Sequence, residues 1–268
     1  MRRRVVIALA LMLPSSLPAQ SPAAGARNDG VMRAFETFAA IFGSRLHAAF
    51  DSIPASRYDY RPTPVQQSIG FIAQHLEGAN YGLCERIGGM KHPTTAKDSL
   101  ADSLKARWPK DTLVARLEAS LRFCDTAMAR VPALDSEGRA RTLLAFETDL
   151  AEHYAQLSGY MRQLGLVPPS ALPPRPRTAI ELPASTLASY VGVYQLASDQ
   201  DLDVTMRDGG LWVKSTGGAT VRLWAEGERD FFLKEVDAQL TFVRDATGAV
   251  TAVVVHQFGR DRMAKKIR

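Results

Sequence analysis

The sequence predicts a protein of the α plus β class in two domains, helical first and antiparallel β second. Three observations carry this expectation. Apolar residues recur at intervals of three and four through residues 31–167, and at intervals of two from residue 184 onward. Between the two patterns lies LVPPSALPPRPRTAIELP (166–183). Its prolines deny the backbone both helix and central strand, so 168–183 reads as a semi-rigid linker.

The chain opens with a targeting pattern over residues 1–19. Arg2-Arg3-Arg4 precede the apolar run Val5–Leu13, and a small-residue region follows, with cleavage of this signal peptide expected after Ala19. That run is too short to span a bilayer, and no later segment approaches the needed length. No cysteine follows the cleavage region, so a lipid anchor is not expected. The mature chain is expected to be secreted, or periplasmic in a two-membrane bacterium, with no stable membrane anchor. Residues 20–30 are rich in Ala, Ser, Gly and Pro and read as a disordered lead-in.

Four long helices are expected next. The first spans Val31–Ile53, with Phe35, Phe38, Phe42, Leu46 and Phe50 as its stripe. RYDYRPTP (57–64) is extended because of Pro62 and Pro64. The second helix covers Ser68–Ile87 on Ile72, Leu76, Ala79, Leu83 and Ile87, and Gly88-Gly89 end it. Residues 88–111 form a long polar crossover with a short helix around Leu100–Arg107. The third helix starts with Asp111 as N-cap and carries Leu113, Leu117, Leu121, Cys124, Met128 and Val131, until Pro132 stops it. The fourth has Leu143, Phe146, Leu150, His153, Leu157, Tyr160 and Leu164 on one face, closed by Gly165 and Pro168-Pro169.

Beyond the linker, eight strand-like runs appear, from YVGVYQL (190–196) to RMAKKI (262–267). Turn signals at Asp208-Gly209-Gly210, Gly217-Gly218, Thr247-Gly248 and Gly259 separate them. Short strands at this spacing argue for a small antiparallel barrel or sandwich. Trp212, Trp224, Phe231 and Phe232 either line a barrel mouth for an apolar ligand or belong to ordinary core and surface. His256 and Gln257, at a strand end, are expected to shape a turn.

The formal net charge is +5, and the three arginines of the signal peptide account for three of these charges, leaving about +2. No basic run interleaved with aromatics remains, so no nucleic-acid partner is expected. The chain carries no phosphate-cradling glycine loop, dinucleotide fingerprint or Gly-x-Ser-x-Gly elbow. Its two cysteines, Cys84 and Cys124, are free to pair after export or to serve as small buried apolar residues.

One helical turn carries the best candidate chemistry. Asp149 and His153 stand four residues apart on nearly one face, which is half a metal site. The competing reading is a core histidine satisfied by its neighbouring aspartate. A third ligand has to decide, and His75, on the second helix, is a candidate among five histidines.

Residues 31–170 resemble the DinB-like superfamily of four-helix bundles, which includes YfiT-like hydrolases and bacterial thiol-dependent transferases. RYDYRPTP (57–64), IAQHLEGANYGLC (72–84) and HYAQLSGYMRQLGLVPPS (153–170) carry the resemblance. It implies an up-down-down-up bundle, with a divalent metal held by a histidine of the second helix and an HxxxH pair of the fourth. His75 and His153 match, while Asp149 stands where the family has the first histidine of the pair. Two imidazoles and a carboxylate suit zinc, nickel, manganese or iron. The implied order also makes helices two and three parallel, bringing Cys84 and Cys124 to similar depths, where they are expected to pair after export. Residues 184–268 resemble the lipocalin-like eight-stranded barrel module of exported beta-lactamase-like serine peptidases, over YVGVYQL and residues 231–261. The chain lacks their Ser-x-x-Lys, so that chemistry does not carry over.

The leading expectation is an exported metal-dependent enzyme of hydrolase or thiol-transferase type. Tyr154 and Gln156 are candidates to support the ligands, Arg162 to clamp a substrate, and Glu77, Glu152 or Tyr154 to move protons. The partner is expected to be a small molecule, and a homodimer is open. The alternative is a non-catalytic binding protein with a vestigial site.

Overall fold

The computed structural model describes residues 30–173 and 175–268, so the expected signal peptide and lead-in (1–29) lie outside the described residues. The helices are α1 (Gly30–Ser52), α2 (Ile69–Gly88), α3 (Asp102–Lys105), α4 (Lys110–Ala129), α5 (Glu137–Gln163) and α6 (Ala184–Tyr190). Among the described residues no helix is long and apolar enough to cross a membrane.

Local chemistry sets the helix ends. The Ser68 hydroxyl accepts the Phe71 N–H, and Gly89, at φ 60°, closes α2 in the left-handed conformation. Ser136 caps α5 through the Arg139 N–H. Helix α4 starts one residue before the expected cap: Pro109 occupies that position and Asp111 lies in the first turn. An acid is still favourable there, because it faces the unpaired N–H groups of the helix start.

Helices α1, α2, α4 and α5 share one core, built around Leu46, Phe50, Ile72, Leu76, Leu117, Phe146, Leu150 and Leu157. On α1 the stripe is rotated from its expected position. Met32, Ala39, Gly43, Leu46 and Phe50 face inward, while Phe38 is 53 % exposed. Small residues explain the rotation. A Cβ on Gly43 would lie 3.2 Å from Leu121, so α1 approaches α4 along its small side and Phe38 turns to the exposed flank.

Contacts between α2 and α4 advance together along both helices. Glu77 meets Arg116, Asn80 meets Ser120, Cys84 is disulfide-bonded to Cys124, and Gly88 lies against Ala127. The two helices therefore run parallel, as the long 89–109 connection permits. Against α5 the order reverses: His75 faces Asp149, and the Gln67 carbonyl meets Tyr160.

The C-terminal half is a closed antiparallel barrel of eight strands, β1 (Gly192–Ala197), β2 (Gln200–Arg207), β3 (Gly210–Ser215), β4 (Thr220–Ala225), β5 (Asp230–Phe232), β6 (Ala238–Arg244), β7 (Val250–Gln257) and β8 (Arg260–Lys266). Pairing of β1 with β8 closes it, so no strand edge is left open. Residues 184–190 are not strand. They form α6, whose Leu187 and Tyr190 are buried in the barrel core. The Tyr190 hydroxyl donates to the Glu228 carbonyl at 2.8 Å. Trp212 and Trp224 lie outside this core, under Arg207 and Arg222, whereas Phe231 lies inside it.

The halves meet through ion pairs, Arg33 with Asp199 and Arg260 with Asp125. These contacts involve α1 and α4, whereas His75 and Asp149 face each other across α2 and α5.

The Cys84–Cys124 bond closes a loop of 40 residues. The chain-entropy model gives such a closure about 3–4 kcal/mol. Equilibrium denaturation of the Cys84→Ser, Cys124→Ser double variant is expected to show a loss of this order, with reductant having no further effect on it.

Candidate metal centre

Two helices supply the site. His75 projects from the middle of α2, and Asp149 and His153 from one turn of α5. His75 Nε2 and His153 Nε2 each lie 3.5 Å from the same oxygen, Asp149 Oδ1. The imidazole centroids are 4.9 Å apart, with planes inclined at 66°. One ligand atom from each residue falls within 4.8 Å of the other two. Ligands on a tetrahedral ion at bond lengths of 2.0–2.2 Å stand about 3.4 Å apart, so two of the three separations already match. His153 is the most enclosed side chain, at 14 % exposure, while His75 is 38 % exposed and marks the open side.

A chain of hydrogen bonds fixes how His153 presents itself. The Gln67 carbonyl can only accept, so the Tyr160 hydroxyl donates to it at 3.2 Å. That hydroxyl then accepts from Gln156 Nε2 at 2.9 Å, which turns Gln156 Oε1 toward His153 Nδ1 at 3.0 Å. Nδ1 therefore carries the hydrogen. In its neutral form His153 aims the bare lone pair of Nε2 at a carboxylate oxygen. Two lone pairs face each other stably only with a proton or a cation between them. The second oxygen, Asp149 Oδ2, is buried without a hydrogen-bond partner.

The electrostatics follow. Burial alone would push the Asp149 carboxyl up, but hydrogen bonds from His153 and His75 hold it at about 2. Burial pulls the His153 pKa down, and hydrogen bonds to Asp149 and Gln156 outweigh it, raising the pKa above its ordinary value. The nearby charge of Glu152 acts in the same direction.

Of the expected supporting residues, Gln156 touches the site and Tyr154 does not. The Tyr154 hydroxyl accepts the Ser170 N–H at 2.8 Å, and its ring packs against Phe42. One residue further along a helix turns a side chain by about 100°, which carries Tyr154 from the His153 face to that of α1. Glu77 is also committed elsewhere, bound to Arg116 at 2.5 Å between α2 and α4. Arg162 donates to the Ser158 carbonyl of its own helix. From the sequence, Tyr160 is expected only as a residue of the apolar stripe. The available signal was that His153, Gln156 and Tyr160 follow one another at steps of three and four residues along one helix face.

Comparison with known proteins bears on the barrel. Residues 176–266 match the model of a domain of unknown function (DUF3471). No curated protein matches the chain. Two crystal structures of SurE, one with D-Leu, superpose at a TM-score of 0.31, with 25 % and 22 % identity. They share 44 % and 45 % of this chain, which in turn spans only 28 % and 27 % of theirs. Similarity at that level carries no argument about this fold or its activity.

The metal-free protein should show the proton that holds this cluster together. Because folding raises the His153 pKa, its pairing stabilises fully below the ordinary 6.5 and is lost as pH rises through the folded value. Asp149, depressed from 3.8, contributes above 3.8 and loses its contribution as pH falls toward about 2. An NMR titration of chelator-treated protein is expected to place His153 above 6.5, and Asp149→Asn should lower it.

Proposed function

We propose that the protein is an exported metal-dependent enzyme of the DinB-like class, of hydrolase or thiol-transferase type. In this reading residues 31–167 are an up-down-down-up four-helix bundle, 168–183 a linker, and 184–268 a lipocalin-like barrel. The parallel run of α2 and α4 and the reversed run of α5 against α2 support that order.

The observation that carries the reading is the fixed tautomer of His153. A part-buried network ending on a backbone carbonyl presents its Nε2 lone pair to Asp149 Oδ1, with His75 Nε2 converging on the same oxygen. Metal sites are built this way, with an outer hydrogen bond orienting the ligating ring. His75, Asp149 and His153 would hold a divalent ion such as zinc, nickel, manganese or iron. Such an ion lowers the pKa of a bound water and supplies hydroxide near neutral pH. Gln156 and Tyr160 keep the His153 ring from rotating. Asp149 Oδ2, buried without a partner of its own, would be left as a hydrogen-bond acceptor at the site. A small substrate would approach over His75, the more exposed ligand.

One observation favours the second reading, a binding protein without turnover. Glu77 and Tyr154, two of the three residues expected to move protons, are held in other contacts, leaving only Glu152.

Calorimetric titration of chelator-stripped protein with zinc, nickel and manganese tests the site. One tight equivalent is expected, weakened about 100-fold or more in Asp149→Ala and in His153→Ala. Tyr160→Phe should weaken it about tenfold through the oriented ring alone. Equal binding by wild type and both alanine variants would place any metal elsewhere. Metal binding with no hydrolytic or thiol-transfer turnover would favour the binding protein.

A further inference from the structure

Aromatic rings occupy the barrel core. Tyr190, Tyr194, Phe231 and Phe242 fill it, with ring centroids 4.3–5.6 Å apart. A cavity of about 480 Å³ adjoins that packing, between the linker and strands β3 and β4. Ile180 donates its N–H to the Ala225 carbonyl at 2.8 Å, so residues 179–182 run beside the end of β4 and form one wall. Leu182, Leu211, Leu223 and Phe231 supply an apolar lining. This volume is within the range of small-molecule sites.

Arg222 gives the cavity its chemistry. The guanidinium lies 4.1 Å from the Trp224 ring centroid, and close to Gly210, where a Cβ would stand 3.1 Å from Nη2. Among the described residues it makes no ion pair and no hydrogen bond, and its Nε is buried without a partner. Glu181 and Asp208 also line the cavity, yet neither pairs with it. Arg177, by contrast, holds Glu226 at 2.5 Å in the ordinary way. Trp224 Nε1 is likewise buried and unpartnered, and Lys234 Nζ lies 3.4 Å from the same ring centroid. A half-buried guanidinium without a counter-charge is costly, and its planar fork matches a carboxylate.

We propose that this cavity binds a small organic carboxylate with an apolar body, the carboxylate on Arg222 and the body against Leu182, Leu211 and Leu223. The site is separate from the metal centre and does not depend on it. Calorimetric titration of the full chain with octanoate, 1-octanol and octylammonium tests it, with the Trp224 indole N–H followed by NMR. Octanoate is expected to bind about tenfold or more tighter than 1-octanol and to shift that N–H, while octylammonium does not bind. Arg222→Gln should remove the advantage of octanoate and leave 1-octanol unchanged. Octanoate binding no tighter than 1-octanol, or not at all at millimolar concentration, overturns the proposal using wild-type protein alone. An Arg222→Gln protein of native circular dichroism that keeps the octanoate preference overturns it as well.

Discussion

A single carboxylate oxygen, Asp149 Oδ1, faces two imidazole nitrogens at 3.5 Å, and this arrangement depends on how the helical half is held. Asp149 and His153 come from one turn of α5, so their proximity follows from sequence. His75 comes from α2, and its place depends on how α2 is held. Three features fix that helix: the Ser68 cap at its start, the Cys84–Cys124 bond near its end, and Gly88 lying directly on Ala127. Between them, the Asn80 amide donates to Ser120 at 2.9 Å inside the core. Because α2 is anchored to α4 along its length, the His75 side is left facing α5.

The same site is ordered from below. Tyr160 spans from α5 to the Gln67 carbonyl just before α2, so one hydrogen bond orients the His153 ring and sets the spacing of the two helices. The edge-on contact of Tyr60 with Tyr160 closes that end of the site. His75, on the open side, is the more exposed of the two imidazoles. The barrel joins the helices elsewhere, at Arg33–Asp199 and Arg260–Asp125, and leaves the α2–α5 face clear of those contacts.

Much of this was legible in the sequence because periodicity and turn chemistry are local. The strands GLWVKS and TVRLWA begin and end where alternation and glycine turns put them, at 210–215 and 220–225. The Asp149–His153 spacing needed only helical geometry. Features that depend on a neighbour were not legible. Phe38 turns outward because Gly43 lets α1 approach α4 on its small side, which no pattern in α1 alone reveals. Tyr154 reads as adjacent to His153 in sequence but serves α1 and the start of the linker. Helix α6 was missed because its two buried residues, Leu187 and Tyr190, make too short a pattern to distinguish from a strand. The Gln156–Tyr160–Gln67 chain could be seen only in part, since its end is a backbone carbonyl on another segment.

The proposed metal centre requires a divalent ion, and not only a shared proton, between Asp149 Oδ1 and the two Nε2 atoms. Anomalous diffraction at a metal absorption edge, from crystals of protein purified without chelator, tests it most directly. One strong peak is expected there, with ligand atoms of His75, Asp149 and His153 at about 2.0–2.2 Å. A map with no anomalous density between these residues, and with His153 Nε2 closed onto Asp149 in a short hydrogen bond, would contradict it.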